Sequence, residues 1–398
     1  GHVRWTEGRN IEAYLKLVSS GRVVVDDLVS RTYSLQDAQE AYAALGGEDV
    51  IGVQFTYAED GTKPRASAPT NTGSSPAKPS IGMIGAGNFV QATLLPAFTK
   101  SQLALPRAIT STGGTNAARV AQKFGISHVS PSVDDLLARQ DIDTVMVISS
   151  HDSHAQLAIK ALEAGKHVFL EKPWALSEDE LAALTNAYAC AGKVLWPGFN
   201  RRYAPALALA SATLNGSDGP LAITYRVNAG RLPKQHWYHD RRQGGRLLGE
   251  VCHFVDTASW IVGMQPSHVA GMGDGRGETL LQENVTALLS YPDGSTAAVI
   301  YNCDASPATS KEQVEILGRG HTVAISNFAD VTIDGRRAKL AYQSKGHSEN
   351  LRAFSHAIRA ESPPQDARGA ADAAFGTTKA MLQIARSLTT GAVIPMDN

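Results

Sequence analysis

The stretch IGMIGAGNFV, residues 81–90, decides the fold. Its first four residues form an apolar run that predicts a strand, and its glycines lead into a helix that we expect from Val90 to about Phe98. In this placement, backbone N–H groups and the positive end of the helix face a pyrophosphate. The third glycine of the dinucleotide-binding fingerprint is Val90 here, at a position that serves helix-to-strand packing more than phosphate approach. We therefore predict a nucleotide-binding loop made of Gly85, Gly87, Asn88 and Phe89.

Strands alternate with helices after this loop. We predict further strands at about residues 108–111, 144–148, 167–170 and 194–196. A capping box formed by Ser177 and Glu180 predicts a helix that continues to about Cys190. This alternation is typical of a parallel sheet that is covered by helices on both faces, so we predict an α/β Rossmann domain over residues 80–200.

The pattern changes after residue 200, where strands follow one another from Leu221 onward without helices between them. The segment Pro292-Asp293-Gly294-Ser295 is a hairpin turn, and short turns of this kind join antiparallel neighbours. We predict an α+β domain over residues 201–398, with an open, mostly antiparallel sheet and helices at its C-terminal end. Because an open sheet often buries one face in an assembly, we expect a homo-oligomer, either a dimer or a tetramer.

The N-terminal part of the chain is separated from these domains by residues 58–79, which are rich in Pro, Gly, Ser and Thr and predict a linker. Residues 1–57 predict a helix around Ile11, a strand at 23–25 and a strand at 50–57, a marginal fold by itself. The sequence of residues 4–10, 20–23 and 33–38 resembles the C-terminal end of zinc-type medium-chain alcohol dehydrogenases. The resemblance implies a small remnant in a bi-domain oxidoreductase and a Gly1 that is not the natural start. The alternative is an independent small domain.

Bulk composition excludes several classes of partner. The chain has 398 residues, 43% of them hydrophobic, and a formal net charge of -1, which gives no electrostatic footprint for nucleic acid. We find no apolar run long enough to span a membrane and no export signal, so we expect neither a membrane nor a nucleic-acid partner. The three cysteines, at wide spacing, favour a reducing, cytoplasmic compartment, and we expect no metal site.

The end of the second predicted strand determines which nicotinamide cofactor fits. An acidic residue here binds the ribose of NAD, and a nearby Arg accommodates the phosphate of NADP. The segment contains Ser111 and Thr112 but no acidic residue, and Arg119 lies on the following helix. Both NAD and NADP therefore stay open, and we favour NAD on its prevalence.

Glu171-Lys172-Pro173 follows the strand at 167–170, at the carboxyl edge of the predicted parallel sheet. Open α/β proteins bind their ligands at this edge. The charge of a lysine there stabilises an alkoxide that forms as hydride leaves a carbinol carbon. The alternative is a surface lysine before a helix.

This tripeptide, with Ala164-Gly165-Lys166-His167-Val168 before it, closely resembles the glucose-fructose oxidoreductase, inositol dehydrogenase and rhizopine catabolism (Gfo/Idh/MocA) family. The resemblance runs from about Ile81 to Ala385 and includes Gly244-Gly245 before a helix that carries His253. It implies that Lys172 touches the reacting hydroxyl, that Glu171 lies near the nicotinamide ribose and that His253 is the acid or base. The expected cofactor contacts then also include Ser149, His151, His154, Glu171, Lys172 and Asn200.

The chain departs from the family at Gly249, where the commonest pattern has an Asp four residues before the His. Glu250 is the candidate substitute, although its side chain leaves the helix about 100° further round. His253 suits proton transfer on its own terms because an imidazole titrates near neutrality. A structural role for His253 is the alternative.

A cluster of donors and aromatic rings precedes the glycine pair and is typical of a site for a polyhydroxylated ring. We expect substrate contacts from Arg201, Tyr203, Arg231, His236, Trp237 and Tyr238, with Arg202 as a structural ion-pair partner. The resulting hypothesis is an NAD(P)-dependent dehydrogenase acting on a carbinol of a sugar, sugar derivative or nucleotide-sugar. A redox-neutral glycosidase or epimerase of the same family and a non-catalytic nucleotide-binding sensor are the alternatives.

Overall fold

The computed structural model describes residues 7–45, 50–56, 78–101, 103–112, 114–275, 278–359 and 365–396. The chain divides into two compact units, residues 1–69 and 70–398. Most of the predicted linker, residues 58–77, lies outside the described residues. Among the described helices, none is long and apolar enough to cross a membrane.

The described residues of the N-terminal unit form two helices, α1 (Glu7–Ser19) and α2 (Ala38–Ala44), and two parallel strands, β1 (Arg31–Ser34) and β2 (Val53–Thr56). The strand that we predicted at 23–25 is wrong, because the strand that pairs with β2 begins six residues later. Apolar side chains are exposed on this unit, among them Ile11, Leu15 and Tyr42, and Ala41 is its buried apolar residue in the described part. Such a small core is in line with the predicted remnant, which stays a prediction.

The first part of the second unit is a six-stranded parallel sheet in the order β5-β4-β3-β6-β7-β8. Its strands are β3 (Ser80–Ile84), β4 (Leu105–Thr110), β5 (His128–Val129), β6 (Thr144–Val147), β7 (His167–Leu170) and β8 (Leu195–Pro197). The intervening helices are α3 (Leu95–Ser101), α4 (Thr115–Phe124), α5 (Val133–Ala138), α6 (His154–Glu163) and α7 (Glu178–Ala191). The first strand lies at the centre, so ligands are expected in the crevice between the ends of β3 and β6. The Rossmann prediction is confirmed.

The second part is a nine-stranded sheet in the order β16-β15-β14-β13-β9-β12-β11-β10-β17. Its strands are β9 (Leu221–Asn228), β10 (His268–Gly273), β11 (Val285–Ser290), β12 (Thr296–Asn302), β13 (Glu312–Gly318), β14 (His321–Ser326), β15 (Asp330–Ile333), β16 (Arg336–Ala338) and β17 (Ile394–Pro395). Every pair is antiparallel except β9 with β12, so the predicted mostly antiparallel sheet is confirmed. Gly294 forms the predicted hairpin turn with a φ of +87°.

The inner face of this sheet packs on helices and the outer face is exposed. The helices of this part are α8 (Pro205–Leu214), α9 (Cys252–Val262), α10 (His347–Ala357) and α11 (Gln365–Thr390). The outer face exposes Met272, Leu288, Ile300 and Leu317. The predicted homo-oligomer stays a prediction.

Helix α10 packs on the parallel sheet, although its sequence comes after the nine-stranded sheet. Leu351 and Phe354 belong to the same buried cluster as Met83 of β3, and the Trp196 indole donates to Asn350 Oδ1 at 2.6 Å. The chain therefore returns to the nucleotide-binding fold after completing the second sheet.

Arg202 and Asp256 form a buried ion pair under the cleft, with side chains 5% and 1% exposed. Arg202 Nε donates to Asp256 Oδ2 at 2.8 Å, and Thr377 Oγ1 donates to Oδ1 at 3.1 Å. The pair joins the segment after β8 to α9 and α11, as the sequence predicted for Arg202.

We expect Asp256→Ala to lower the free energy of unfolding by about 3–5 kcal/mol, because it leaves the Arg202 guanidinium buried without its counter-charge. Asp330→Ala is the matched control, since its partner Arg337 is 78% exposed, and the expected loss is about 0–1 kcal/mol. Denaturant unfolding followed by tryptophan fluorescence measures both. Equal losses in the two variants would contradict the burial argument.

Candidate active site

The loop after β3 brings its backbone close to the end of β6. Gly85 has a φ of +120°, and a Cβ built on it would lie 2.2 Å from the Ile148 carbonyl oxygen. A Cβ on Gly87 would meet no described atom within 4 Å, because Gly87 faces the open cleft. The Ala86 carbonyl between them accepts hydrogen bonds from the Gln91 and Asn116 side-chain amides at 3.1 and 2.7 Å. Only glycine fits at 85, whereas glycine at 87 leaves room for a pyrophosphate against the backbone.

The end of β4 offers an unsatisfied hydroxyl to the cleft. Ser111 Oγ is buried without a hydrogen-bond partner among the described residues, and such an atom needs a ligand or water. Arg119 instead donates to Asn116 Oδ1 at 2.9 Å and does not line the cleft. The glycine loop and this hydroxyl fit a dinucleotide that lies across the ends of β3 and β4.

His154, at the start of α6, lies between the segments that follow β6 and β7 in the cleft. Its Nδ1 lies 2.8 Å from the Pro173 carbonyl oxygen and its Nε2 lies 3.2 Å from the Ser149 carbonyl oxygen. Burial lowers the pKa of His154 to about 4. The neutral ring has a single N–H and donates to one of these two carbonyls, so its role is to position the segments around it.

Glu171 and Lys172 follow β7 and point into the same cleft. Glu171 packs so closely on Gly198 that a Cβ there would lie 2.6 Å from Glu171 Oε1. Burial raises the pKa of Glu171 to about 7, although Lys172 opposes the shift. Burial lowers the pKa of Lys172, but the groups around it, Tyr238, Cys252, Glu171 and Glu250, raise it more, so the net shift is upward. Lys172 is thus a charged donor in the cleft.

The Lys172 ammonium donates to the main-chain carbonyl of Gly249 at 2.9 Å. Gly249 lies in a widened helical turn, Leu247–Val251, that runs into α9. Turns of this π type occur often at functional sites because they redirect carbonyl groups. A lysine of the parallel sheet is therefore held by the second domain without a carboxylate, since among the described residues no Asp or Glu oxygen lies within ion-pair distance of its Nζ.

His253 lies one turn further along, is half-buried, and lines the cleft. Its Nδ1 has no hydrogen-bond partner among the described residues. Burial lowers the pKa of His253 well below its usual value, and the Arg201, Lys172, His347 and Lys345 charges lower it further. The imidazole is therefore neutral and able to accept a proton.

Glu250 lines the cleft but is tied down by its own neighbours. It accepts from Arg246 Nη2 at 3.1 Å and from the Tyr301 hydroxyl. Burial raises the pKa of Glu250, whereas Arg246 and Tyr301 lower it more, so it is an ionised carboxylate with fixed orientation.

A cluster of charged and polar side chains surrounds the buried Glu312. Arg201 makes two hydrogen bonds to it, at 2.8 and 3.0 Å, and Lys345 Nζ and the Tyr225 hydroxyl each lie 2.7 Å from it. Two cations and one carboxylate leave this wall of the cleft with a net positive charge.

The cleft has a volume of about 1270 Å³ and brings together nearly all the residues predicted from the sequence. The predicted residues that line it are Gly85, Gly87, Asn88, Phe89, Ser111, Thr112, Ser149, His151, His154, Glu171, Lys172, Asn200, Arg201, Trp237, Tyr238, Glu250 and His253.

Three residues predicted to contact substrate lie outside the cleft lining. Tyr203 stacks on Trp196 with ring centroids 6.2 Å apart. Arg231 is exposed and pairs with Asp304 at 2.6 Å. His236 stacks on Tyr238 with centroids 5.4 Å apart, so it supports a residue that lines the cleft. In each case the side chain contacts a neighbouring residue instead of lining the cleft.

Sequence analysis missed Asn116, Gln243, Lys345 and His347, which also line the cleft. Lys345 and His347 come from the segment around the start of α10, far along the chain from the nucleotide loop. Phe89 of that loop lies 5.7 Å from the His347 ring. Asn116 could have been predicted from the sequence, because it lies in the first turn of α4, the helix that follows β4.

Two family models match this chain. One, described as an oxidoreductase family with an NAD-binding Rossmann fold, matches residues 80–199, and the other, the Gfo/Idh/MocA C-terminal domain, matches residues 220–324. Together they cover more than half of the chain. The chain belongs to the Gfo/Idh/MocA family. It is an NAD(P)-dependent oxidoreductase, and residues 1–57 lie before both models.

Individual relatives share this fold at low identity. The scyllo-inositol 2-dehydrogenase (NAD(+)) of Bacillus subtilis is 27% identical over 219 residues, which are 53% of this chain and 63% of that protein. The structure of an oxidoreductase domain protein from Kribbella flavida has a TM-score of 0.73 at 22% identity and covers 81% of this chain and all of that one. A levoglucosan dehydrogenase in complex with NADH and levoglucosan has a TM-score of 0.68 at 20% identity, over 80% of this chain and 99% of that one.

We expect Gly87→Ala to weaken NADH binding about tenfold or more, a loss of about 1.4 kcal/mol, because the new methyl group occupies the path of the pyrophosphate. Its thermal stability should stay unchanged, since the Cβ meets no described atom within 4 Å. Fluorescence titration with NADH measures the binding.

Gly85→Ala is the matched comparison, and it should lower the melting temperature because its Cβ would lie 2.2 Å from the Ile148 carbonyl oxygen. If Gly87→Ala bound NADH as tightly as the wild type, the pyrophosphate would not approach this backbone.

Proposed function

We propose that this chain transfers hydride between nicotinamide and a carbinol carbon of a sugar or sugar derivative, and that Lys172 and His253 are its catalytic residues. The observation that carries the proposal is the buried, unpartnered Nδ1 of His253 in the same cleft as the charged Lys172 ammonium. A nitrogen in this state needs a hydrogen-bonding partner, which a ligand or water in the cleft supplies.

The bound nicotinamide would supply the hydride acceptor in oxidation and the hydride donor in reduction. Lys172 donates to the reacting oxygen and stabilises the negative charge that develops there. His253 accepts the hydroxyl proton during oxidation and returns it during reduction. Glu171, beside Lys172, buries its carboxyl against Gly198.

The sugar class is supported by the chemistry of the cleft and by the relatives. Trp237 and Tyr238 offer aromatic faces, and Arg201, Gln243 and Asn200 offer polar groups, in one cleft. The names of the scyllo-inositol and levoglucosan dehydrogenases describe proteins that act on polyhydroxylated rings. We propose the same class of substrate here, with NAD favoured over NADP because no Arg of the described chain lines the end of β4.

The test is a panel of sugars, inositols and anhydrosugars with NAD⁺ or NADP⁺, followed by nicotinamide absorbance. Lys172→Met should lower kcat/KM on the accepted substrate by about 10²- to 10³-fold, because it removes a donor to the developing charge. Lys160→Met is the control, since Lys160 pairs with Asp134 at the surface and should leave the rate unchanged. Cleavage of a glycoside without net NADH would favour the redox-neutral alternative.

The pH dependence of oxidation should carry the signature of His253. Burial and neighbouring cations lower the pKa of His253 below 6.5, so its imidazole stays neutral to a lower pH than a free imidazole does. The rate of oxidation should therefore fall only at a pH below the range in which a free imidazole becomes protonated. Glu171, whose pKa is about 7, is removed from the profile by Glu171→Gln. The acid limb should vanish in His253→Asn, measured as kcat/KM against pH. A limb at the ordinary imidazole pKa would contradict this assignment.

A further inference from the structure

We propose that the Tyr238 hydroxyl is a further catalytic group: together with Lys172 it forms a two-donor site for the reacting oxygen, in place of a side chain at position 249. The inference rests on the proposed function and concerns how this chain performs it.

The Tyr238 ring packs against three other rings. It stacks on Trp237 with centroids 4.1 Å apart and on His236 at 5.4 Å, and His151 lies edge-on at 5.6 Å. His151 is itself held by Gln243, whose side-chain and main-chain oxygens each lie 2.9 Å from a His151 nitrogen. The phenol is 8% exposed and lines the cleft, so its hydroxyl points from a rigid support.

No side chain fits at Gly249 while these rings are in place. A Cβ there would lie 2.5 Å from Tyr238 Cε1 and 2.6 Å from His151 Cε1. Because both contacts are with ring atoms held by neighbours, neither ring can move away cheaply. The volume that an acidic side chain would use at this position is filled by Tyr238 and His151.

Lys172 and Tyr238 meet at one acceptor, the Gly249 carbonyl oxygen. The ammonium donates to it at 2.9 Å, whereas the phenol lies at 3.5 Å, the far limit of a hydrogen bond. Lys172 has three donors, and this bond uses one of them. Burial raises the pKa of Tyr238 to about 12, so the phenol keeps its proton as a donor. Both groups can therefore donate to a third oxygen placed between them in the cleft.

The chemistry balances with the groups already assigned. In oxidation, the C–H bond breaks as hydride goes to nicotinamide, the O–H proton goes to His253, and the oxygen becomes a carbonyl. Tyr238 and Lys172 donate to that oxygen throughout and exchange no proton with it. Two fixed donors aimed at a developing charge act as an oxyanion hole does.

Tyr238→Phe tests the proposal because it removes the hydroxyl and keeps the stacked ring. With the best substrate from the panel, kcat should fall about 10²- to 10³-fold, while the KM for NAD⁺ and the fluorescence titration with NADH stay unchanged. Tyr291→Phe is the control: it removes the hydroxyl of another buried tyrosine, one that lies 3.2 Å from Ser259 Oγ and outside the cleft, and kcat should not change.

The outcomes separate this inference from the proposed function. If the wild type turns over a sugar and Tyr238→Phe retains its kcat, Tyr238 is a packing residue and the inference is wrong. If Tyr238→Phe raises only KM for the sugar, the hydroxyl binds the ring elsewhere and the inference is also wrong. A wild type that oxidises no member of the panel overturns the proposed function and, with it, this inference.

Discussion

The hydrogen bond from Lys172 to the Gly249 carbonyl is the contact on which the site depends. Lys172 follows β7 of the parallel sheet, and Gly249 lies in the turn that leads into α9. This bond therefore joins the cofactor half and the substrate half of the same unit. Glu171, next to Lys172, and Glu250, next to Gly249, line the same cleft. The buried Arg202–Asp256 pair supports it from below, because Asp256 belongs to α9.

The sequence predicted those parts of the molecule that local patterns determine. The strand-glycine-helix stretch at 81–90 and the alternation after it specified the parallel sheet, and Glu171-Lys172-Pro173 marked its carboxyl edge. Packing between distant segments could not be predicted in this way. Nothing local in the 347–357 helix indicates that it returns to cover β3, and nothing in Tyr203 indicates that Trp196 takes its ring. Such contacts depend on three-dimensional neighbours, which periodicity does not contain.

Gly249 shows how a departure from a pattern becomes interpretable once the structure is known. In the sequence it was a missing Asp, which made the proton path uncertain. In the structure, Tyr238 and His151 fill the space beside it, and its carbonyl accepts a hydrogen bond from Lys172. Glu250 does not restore that carboxylate, because Arg246 and Tyr301 hold it. Two rings thus take the place of one side chain: Tyr238 lies eleven residues earlier in the chain, and His151 lies in the turn between β6 and α6.

The charges of the site follow from one physical effect with two outcomes. Burial lowers the pKa of both Lys172 and His253, because it disfavours a positive charge in either. Around Lys172 the acidic groups outweigh this effect, so the lysine stays charged, whereas around His253 the neighbouring cations add to it, so the imidazole is neutral. A cationic donor and a neutral base therefore stand in one cleft at the same pH. The surroundings shift the pKa values of these two groups in opposite directions. Hydride transfer from a carbinol requires this arrangement, since one group must hold the oxygen while the other takes its proton.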